Sequence, residues 1–220
     1  MNIEASAWIE GLQDARLLVP GSGVRAWAGR LSVPESALQD WTAGSFRLLR
    51  KAPRPLSEIL RCKANRRPGT RRFFGEAYVA AKMTDADPGW YTSFKWLTSP
   101  IWSGQRTLDD TYREKFRSTL QESFGERRLE RLQKRARAFS AQLGGKKPVA
   151  PDLWLTVGSD HRFIEVKLLP DTIDRRQLAG SALIAKYLDG VSVGVGYVHT
   201  DRHAPDFGGL DDFPKLYRHV

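Results

Sequence analysis

The segment from Pro151 to Val198 constrains the fold more than any other part of the chain. Residues 152–157 read Asp-Leu-Trp-Leu-Thr-Val, an apolar run between Pro151 and Gly158 that reads as a buried strand. Gly158-Ser159-Asp160 has the composition of a hairpin loop, and residues 162–168 form the return strand. Asp171 or Thr172 then caps a helix reaching Leu188. Asp189-Gly190 turns the chain into a last strand over 191–198. Strand, hairpin, strand, helix and strand in succession imply an α/β fold.

Upstream the patterning is helical. Trp8, Ile9, Leu12 and Ala15 share one face of an amphipathic helix over 5–18, which Pro20-Gly21 stops. A second helix is expected over 32–41, where Ser32 and Glu35 have capping-box spacing and Pro34 sits early. Pro53 and Pro55 break the chain before a short helix near 56–63, and Arg66-Arg67-Pro68-Gly69 is a turn. The boundary between a basic, helical N-terminal extension (1–68) and a main domain (69–220) is placed there. Thr70 is positioned to cap a helix over 71–83, and 91–97 reads as a strand. Tyr112, Phe116, Leu120 and Phe124 recur every four residues, and Leu129, Leu132, Ala136, Phe139 and Leu143 continue the helical spacing. Gly125 divides this long stretch into two helices, and Gly144-Gly145 ends it.

Charge narrows the partners. Thirty-five Lys and Arg oppose twenty-five Asp and Glu, a net charge of +10. Such a chain is attracted to polyanions, because each neutralised phosphate releases condensed counterions. The excess is concentrated. Arg47, Arg50, Lys51, Arg54, Arg61, Lys63, Arg66, Arg67, Arg71 and Arg72 are opposed by Glu58 alone. Arg127, Arg128, Arg131, Lys134, Arg135, Arg137, Lys146 and Lys147 make a second stretch, against Glu130. Two stretches favour nucleic acid over an ordinary solvated face, without separating DNA from RNA. Seven Trp, ten Phe and six Tyr argue against wholesale disorder. Of these, Trp90, Trp96 and Trp102 could stack bases beside basic groups, although core packing is the expected use of at least two. No apolar run approaches the ~18 residues of a membrane span, and the first ten residues lack a basic-then-apolar signal pattern. A lone Cys62 excludes an internal disulfide framework and a Cys-rich zinc module. A soluble, cytoplasmic protein is expected.

The strand pair carries the chemistry. Residues i and i+2 of a strand share a face, so Glu165 and Lys167 project together. A hairpin closing near Gly158 sets Asp152 across from Glu165. Two converging carboxylates, with the Val166 carbonyl as a further oxygen, make a hard site suited to Mg²⁺ or Mn²⁺. Lys167 beside it can orient a nucleophile and offset charge in a phosphoryl transition state. An acid-x-Lys triplet alone is expected about once by chance and needs its context. Here the triplet ends an apolar strand, Pro151-Asp152 opens the preceding one, and a capped helix follows.

These residues resemble the PD-(D/E)xK nuclease superfamily, and more narrowly its virus-type replication–repair nuclease (VRR-NUC) domain. The likeness rests on Pro151-Asp152-Leu153, Phe163-Ile164-Glu165-Val166-Lys167, Pro170-Asp171 and Gln177, and covers residues 144–198. Leu168-Leu169 departs from the Gly-Pro that commonly follows the Lys. The resemblance implies a restriction-endonuclease-like mixed sheet flanked by helices, with the acids at one sheet edge. It also implies a further acid on an upstream helix. Glu76, in an otherwise apolar stretch, matches best, ahead of Glu122 and Glu126; a buried carboxylate is costly unless paired or bound to metal. Gln177 would support a site carboxylate or water. The implied activity is Mg²⁺- or Mn²⁺-dependent hydrolysis of DNA, in repair, recombination or phage defence. An RNA-directed nuclease, a catalytically silent DNA-binding or assembly module, and a homodimeric state stay open as alternatives.

Overall fold

The computed structural model describes residues 25–83, 85–92, 95–98, 108–168, 171 and 173–200. Five strands form one mixed sheet: β1 (Arg25–Val33), β2 (Gly89–Tyr91), β3 (Leu153–Val157), β4 (Asp160–Leu168) and β5 (Val191–Thr200), in the order β1-β5-β4-β3-β2. β1 and β4 flank β5 in parallel, while β4, β3 and β2 pair antiparallel. The described helices are α1 (Glu35–Thr42), α2 (Leu56–Asn65), α3 (Phe74–Lys82), α4 (Leu108–Phe124), α5 (Glu126–Phe139) and α6 (Arg175–Tyr187). Short 3-10 turns cover Arg47–Arg50, Lys95–Leu97 and Ser140–Leu143. None of the described helices is long and apolar enough to cross a membrane.

The β3–β4 hairpin follows from Gly158. Val157 pairs with Asp160, leaving Gly158 and Ser159 as the connection, and Gly158 adopts φ +59. A two-residue hairpin loop needs positive φ, which glycine takes without steric cost. β4 is the central strand. Its side chains alternate, so Phe163, Glu165 and Lys167 share one face and Ile164, Val166 and Leu168 the other. On the first face, Trp154 stacks on Phe163 with ring centroids 5.7 Å apart, and Phe116 and Phe124 of α4 pack against Trp154 at 5.9 and 5.7 Å. Helix α3 covers the second face. A Cβ at Gly75 would stand 3.0 Å from Val166 Cγ1, so the missing side chain lets α3 sit this close to the sheet.

Sequence and structure part company at several points. Ser32 lies in β1, not in a helix; α1 starts at Glu35 with no side-chain cap. β1 pairs with β5 along its whole length, and that ladder outweighs the local capping pattern. Residues 25–68 are therefore not a helical extension. β1 belongs to the sheet, and Trp41, Leu49, Leu56 and Leu60 join one core with the residues beyond Pro68. Thr70 does not cap α3; its hydroxyl donates to the Arg67 carbonyl, and Phe73 occupies the cap position. The strand expected over 91–97 is confined to Gly89–Tyr91, followed by a 3-10 turn. The caps expected at Asp171 or Thr172 give way to Asp174; Thr172, like the helix expected over 5–18 and Trp102, lies outside the described residues. Trp90 and Trp96 are buried in the core.

Candidate active site

Asp152 stands one residue before β3 and is fixed through its backbone. Thr92, just past β2, donates its N–H to the Asp152 carbonyl at 2.7 Å and its hydroxyl to the Pro151 carbonyl. Leu153 pairs with Ile164, so the next pair along the ladder sets Asp152 opposite Glu165. The ladder has ended there, and Asp152 Oδ2 accepts the Val166 N–H at 2.9 Å in place of a backbone carbonyl. The acids thus lie at one end of the neighbouring strands β3 and β4, where helices cover both faces of the sheet.

Glu165 and Lys167 are the only charged side chains fully buried among the described residues, 1% and 7% exposed. Lys167 Nζ donates to Glu165 Oε1 and to Gln177 Oε1, each at 2.9 Å. Gln177 Nε2 donates to Glu165 Oε1 at 2.5 Å. Glu165 Oε2 is buried, and no donor among the described residues reaches it. Gln177 is itself held by the start of α6. Asp174 Oδ1 accepts the N–H groups of Arg176 and Gln177 at 2.8 and 3.0 Å, while Gln177 Oε1 accepts the Asp174 N–H at 2.9 Å. This capping box gives the amide two tasks: it closes the helix end and clamps the Glu165–Lys167 pair. Upstream, the Val149 N–H donates to the Arg176 carbonyl at 3.0 Å, a crossing that only the absent side chain of Gly180 allows.

Electrostatics mark the same place. Burial pushes Glu165 well above the ordinary carboxylate range, the Asp152 charge adds to this, and Lys167 offsets part of it. Burial likewise raises Asp152, against the Val166 N–H and Lys167. Glu76, in the first turn of α3, is pushed up to about 8 by burial first and by Asp152 second. Asp152 therefore acts on both Glu165 and Glu76, and all three carboxyls feel the Lys167 ammonium. With two or more ionised, the pocket holds uncompensated negative charge in a poorly solvated place.

Among the described residues, no three His, Cys, Asp or Glu side chains gather closely enough to enclose a metal ion by themselves. What is present is a two-carboxylate donor set, Asp152 and Glu165, whose carboxyls interact directly and are both pushed up by burial. That set fits Mg²⁺, which is commonly held by one or two carboxylates and keeps its other positions for water and substrate phosphate. It would fit a caged Ca²⁺ or a structural Zn²⁺ poorly.

Of the residues singled out in the sequence, Asp152, Glu165, Val166, Lys167 and Gln177 meet, and Glu76 is coupled to them. Glu122 and Glu126 do not take part. They lie exposed at the α4–α5 junction, beside Phe124, whose ring contacts His161 near the opposite end of β4. Two further residues position the site, Thr92 through the Asp152 backbone and Asp174 through Gln177. The Asp174-to-Gln177 capping spacing was legible; nothing in the sequence marks Thr92.

In the first basic stretch Arg47, Arg50, Lys51, Arg54, Arg61, Arg66, Arg67, Arg71 and Arg72 are exposed, and Lys63 is half-buried. Arg127, Arg128, Arg131, Lys134 and Arg135 of the second are exposed along α5. Arg128 binds Asp189 at 2.8 Å, just before β5 begins opposite His161, which sets the start of α5 at the far end of the sheet. Glu165 lies four residues further along β4 than His161, about 13 Å away. No protein-family model, curated protein or solved structure matches the chain.

Proposed function

We propose that the chain is a Mg²⁺- or Mn²⁺-dependent nuclease of the PD-(D/E)xK kind, VRR-NUC-like, that hydrolyses phosphodiester bonds in DNA. The observation that carries this reading is the buried Glu165–Lys167 pair, clamped by Gln177 and facing Asp152. A buried ion pair seldom improves on an apolar pair of similar volume, so a purely structural purpose is a weak reason for it. The mixed sheet flanked by helices is compatible with a restriction-endonuclease-like fold.

In this reading Asp152 and Glu165 would hold the ion, with the Val166 carbonyl as a further oxygen donor and Glu76 acting on them through its charge. A bound Mg²⁺ supplies Lewis-acid polarisation of a phosphoryl oxygen and an acidified water. The protein's own share is positional. Gln177 keeps Lys167 beside Glu165, where its ammonium orients the nucleophile and offsets charge developing on the phosphate. Burial of the pair keeps that charge poorly screened. The exposed arginines between Arg47 and Arg72 hold backbone phosphates without reading bases.

The test is cleavage of single-stranded, branched and duplex DNA in Mg²⁺ and in Mn²⁺. Asp152→Asn loses charge but keeps shape, so it should abolish cutting, leave circular dichroism unchanged and preserve or tighten DNA binding. Lys167→Ala should lose on the order of a hundredfold in rate, about 3 kcal/mol of transition-state stabilisation. Undiminished cutting by Asp152→Asn, or a Lys167→Ala rate within about threefold of wild type, refutes the assignment; binding without any cutting by the wild-type chain would indicate a silent module.

A further inference from the structure

Phe73 is the only described non-glycine residue with a positive φ, +63. For an aromatic side chain this left-handed backbone is unfavourable, and residues held there against their preference cluster at functional sites. Its place matters more than its strain. Phe73 caps α3, its carbonyl accepts the Ala77 N–H at 3.0 Å, and Glu76 lies within that first turn. The Phe73 ring is half-buried and meets Tyr91 edge-on, with centroids 6.0 Å apart. Tyr91 pairs with Leu153, and the next residue, Thr92, holds the Asp152 backbone. The ring therefore stands beside the carboxylate end of the sheet. Lys63 Nζ lies 5.1 Å from the Tyr91 centroid and 6.0 Å from that of Phe73, and exposed Arg71 and Arg72 directly precede Phe73.

From this juxtaposition we infer that Phe73 is a stacking platform for one unpaired base of single-stranded DNA, while Lys63 and Arg72 hold the adjoining phosphates. The inference deepens the nuclease reading and rests on it for the choice of ligand. An aromatic face flanked by cations suits an unpaired nucleotide, because every base has a π-face and the backbone beside it is anionic. Duplex DNA, whose bases are already stacked, offers the ring nothing. The position would suit glycine better by backbone alone; the ring is held there by Tyr91 and by the core beneath it, with Lys63 over it.

The experiment uses the full chain in EDTA, so that binding is read without cleavage. The probe is a short single-stranded DNA carrying one 2-aminopurine, a base whose fluorescence falls when stacked. Wild type should quench it. Phe73→Gly, which relieves the backbone, should fold with unchanged helix content, lose the quench and bind the strand on the order of tenfold more weakly. Phe73→Trp should restore the quench. Duplex DNA of the same sequence should bind wild type and Phe73→Gly alike. Equal quenching and equal single-strand affinity in wild type and Phe73→Gly would overturn the platform, as would an equal loss on duplex. These results are independent of the nuclease reading: Phe73-dependent quenching without metal-dependent cutting keeps the platform and rejects the nuclease, and cutting without such quenching does the reverse.

Discussion

Along one face of β4, two neighbouring regions have opposite characters. Phe163 stacks on Trp154 within a cluster of rings, yet Glu165 and Lys167, immediately beyond it on the same face, place a carboxylate and an ammonium in equal burial. The aromatic half is held by removal of apolar surface from water and by close packing. The charged half carries a desolvation cost that its ion pair and Gln177 only partly offset, as the suppressed ionisation of Glu76, Asp152 and Glu165 registers. Depth of burial therefore does not distinguish core from site. The distinction is charge: the rings carry none, while Glu165 and Lys167 set a carboxylate against an ammonium in the same depth of burial.

The comparison breaks if the two halves respond alike to mutation. Phe163→Ala should cost about 3–5 kcal/mol of folding stability in chemical denaturation, as a cavity opens against Trp154 and Phe124. A loss below about 1 kcal/mol would mean that the rings are not the structural half.

The pH dependence of stability sharpens it next. Glu76 rises from an ordinary 4.5 to about 8. Between those values the folded chain keeps a proton that the unfolded chain has lost, so rising pH favours unfolding; below the lower value both forms are protonated and the effect vanishes. Without metal, the unfolding temperature should decline from about pH 5 to pH 8, with at most about 1.4 kcal/mol lost per pH unit from this group. Glu76→Gln should follow a flatter line, and Mg²⁺ should flatten the wild-type line. Identical slopes in all three would show that these carboxyls neither titrate together nor meet a cation.

The two basic stretches give a smaller effect. If about four phosphates are held between Arg47 and Arg72, log K against log[salt] should have a slope near about −4, flattening by about one per arginine removed. Replacing Arg61, Arg66, Arg67 and Arg71 with Ala should weaken binding to all sequences alike. Replacing Arg127, Arg128 and Arg131, at the far end of the sheet, should change it least. The reverse order in a salt titration would place the DNA along α5 instead.

The segment from Pro151 onward was legible because its signals are local. Gly158 marks a hairpin, Asp189-Gly190 a turn, and i, i+2 alternation puts Glu165 and Lys167 on one face. What escaped is non-local or degenerate. β1 exists because Arg25–Val33 pairs with Val191–Thr200, distant in sequence, and no nearby residue announces that partner. Three residues within one turn, Asp171, Thr172 and Asp174, all suit a helix cap, and only tertiary placement chooses Asp174. Phe73, not the Thr70 that composition favours, takes the N-cap position of α3. Thr92 reaches Asp152 by hydrogen bonds across a sheet whose register had first to be known.

One variant separates structural from functional charge most directly. Glu165→Gln keeps the side chain's shape and removes its buried charge. If the charged half exists to hold a cation and cut DNA, this variant should unfold at or above the wild-type temperature while its Mg²⁺-dependent cleavage falls below detection. Cleavage at the wild-type rate, or a stability loss as large as that of Phe163→Ala, would contradict it.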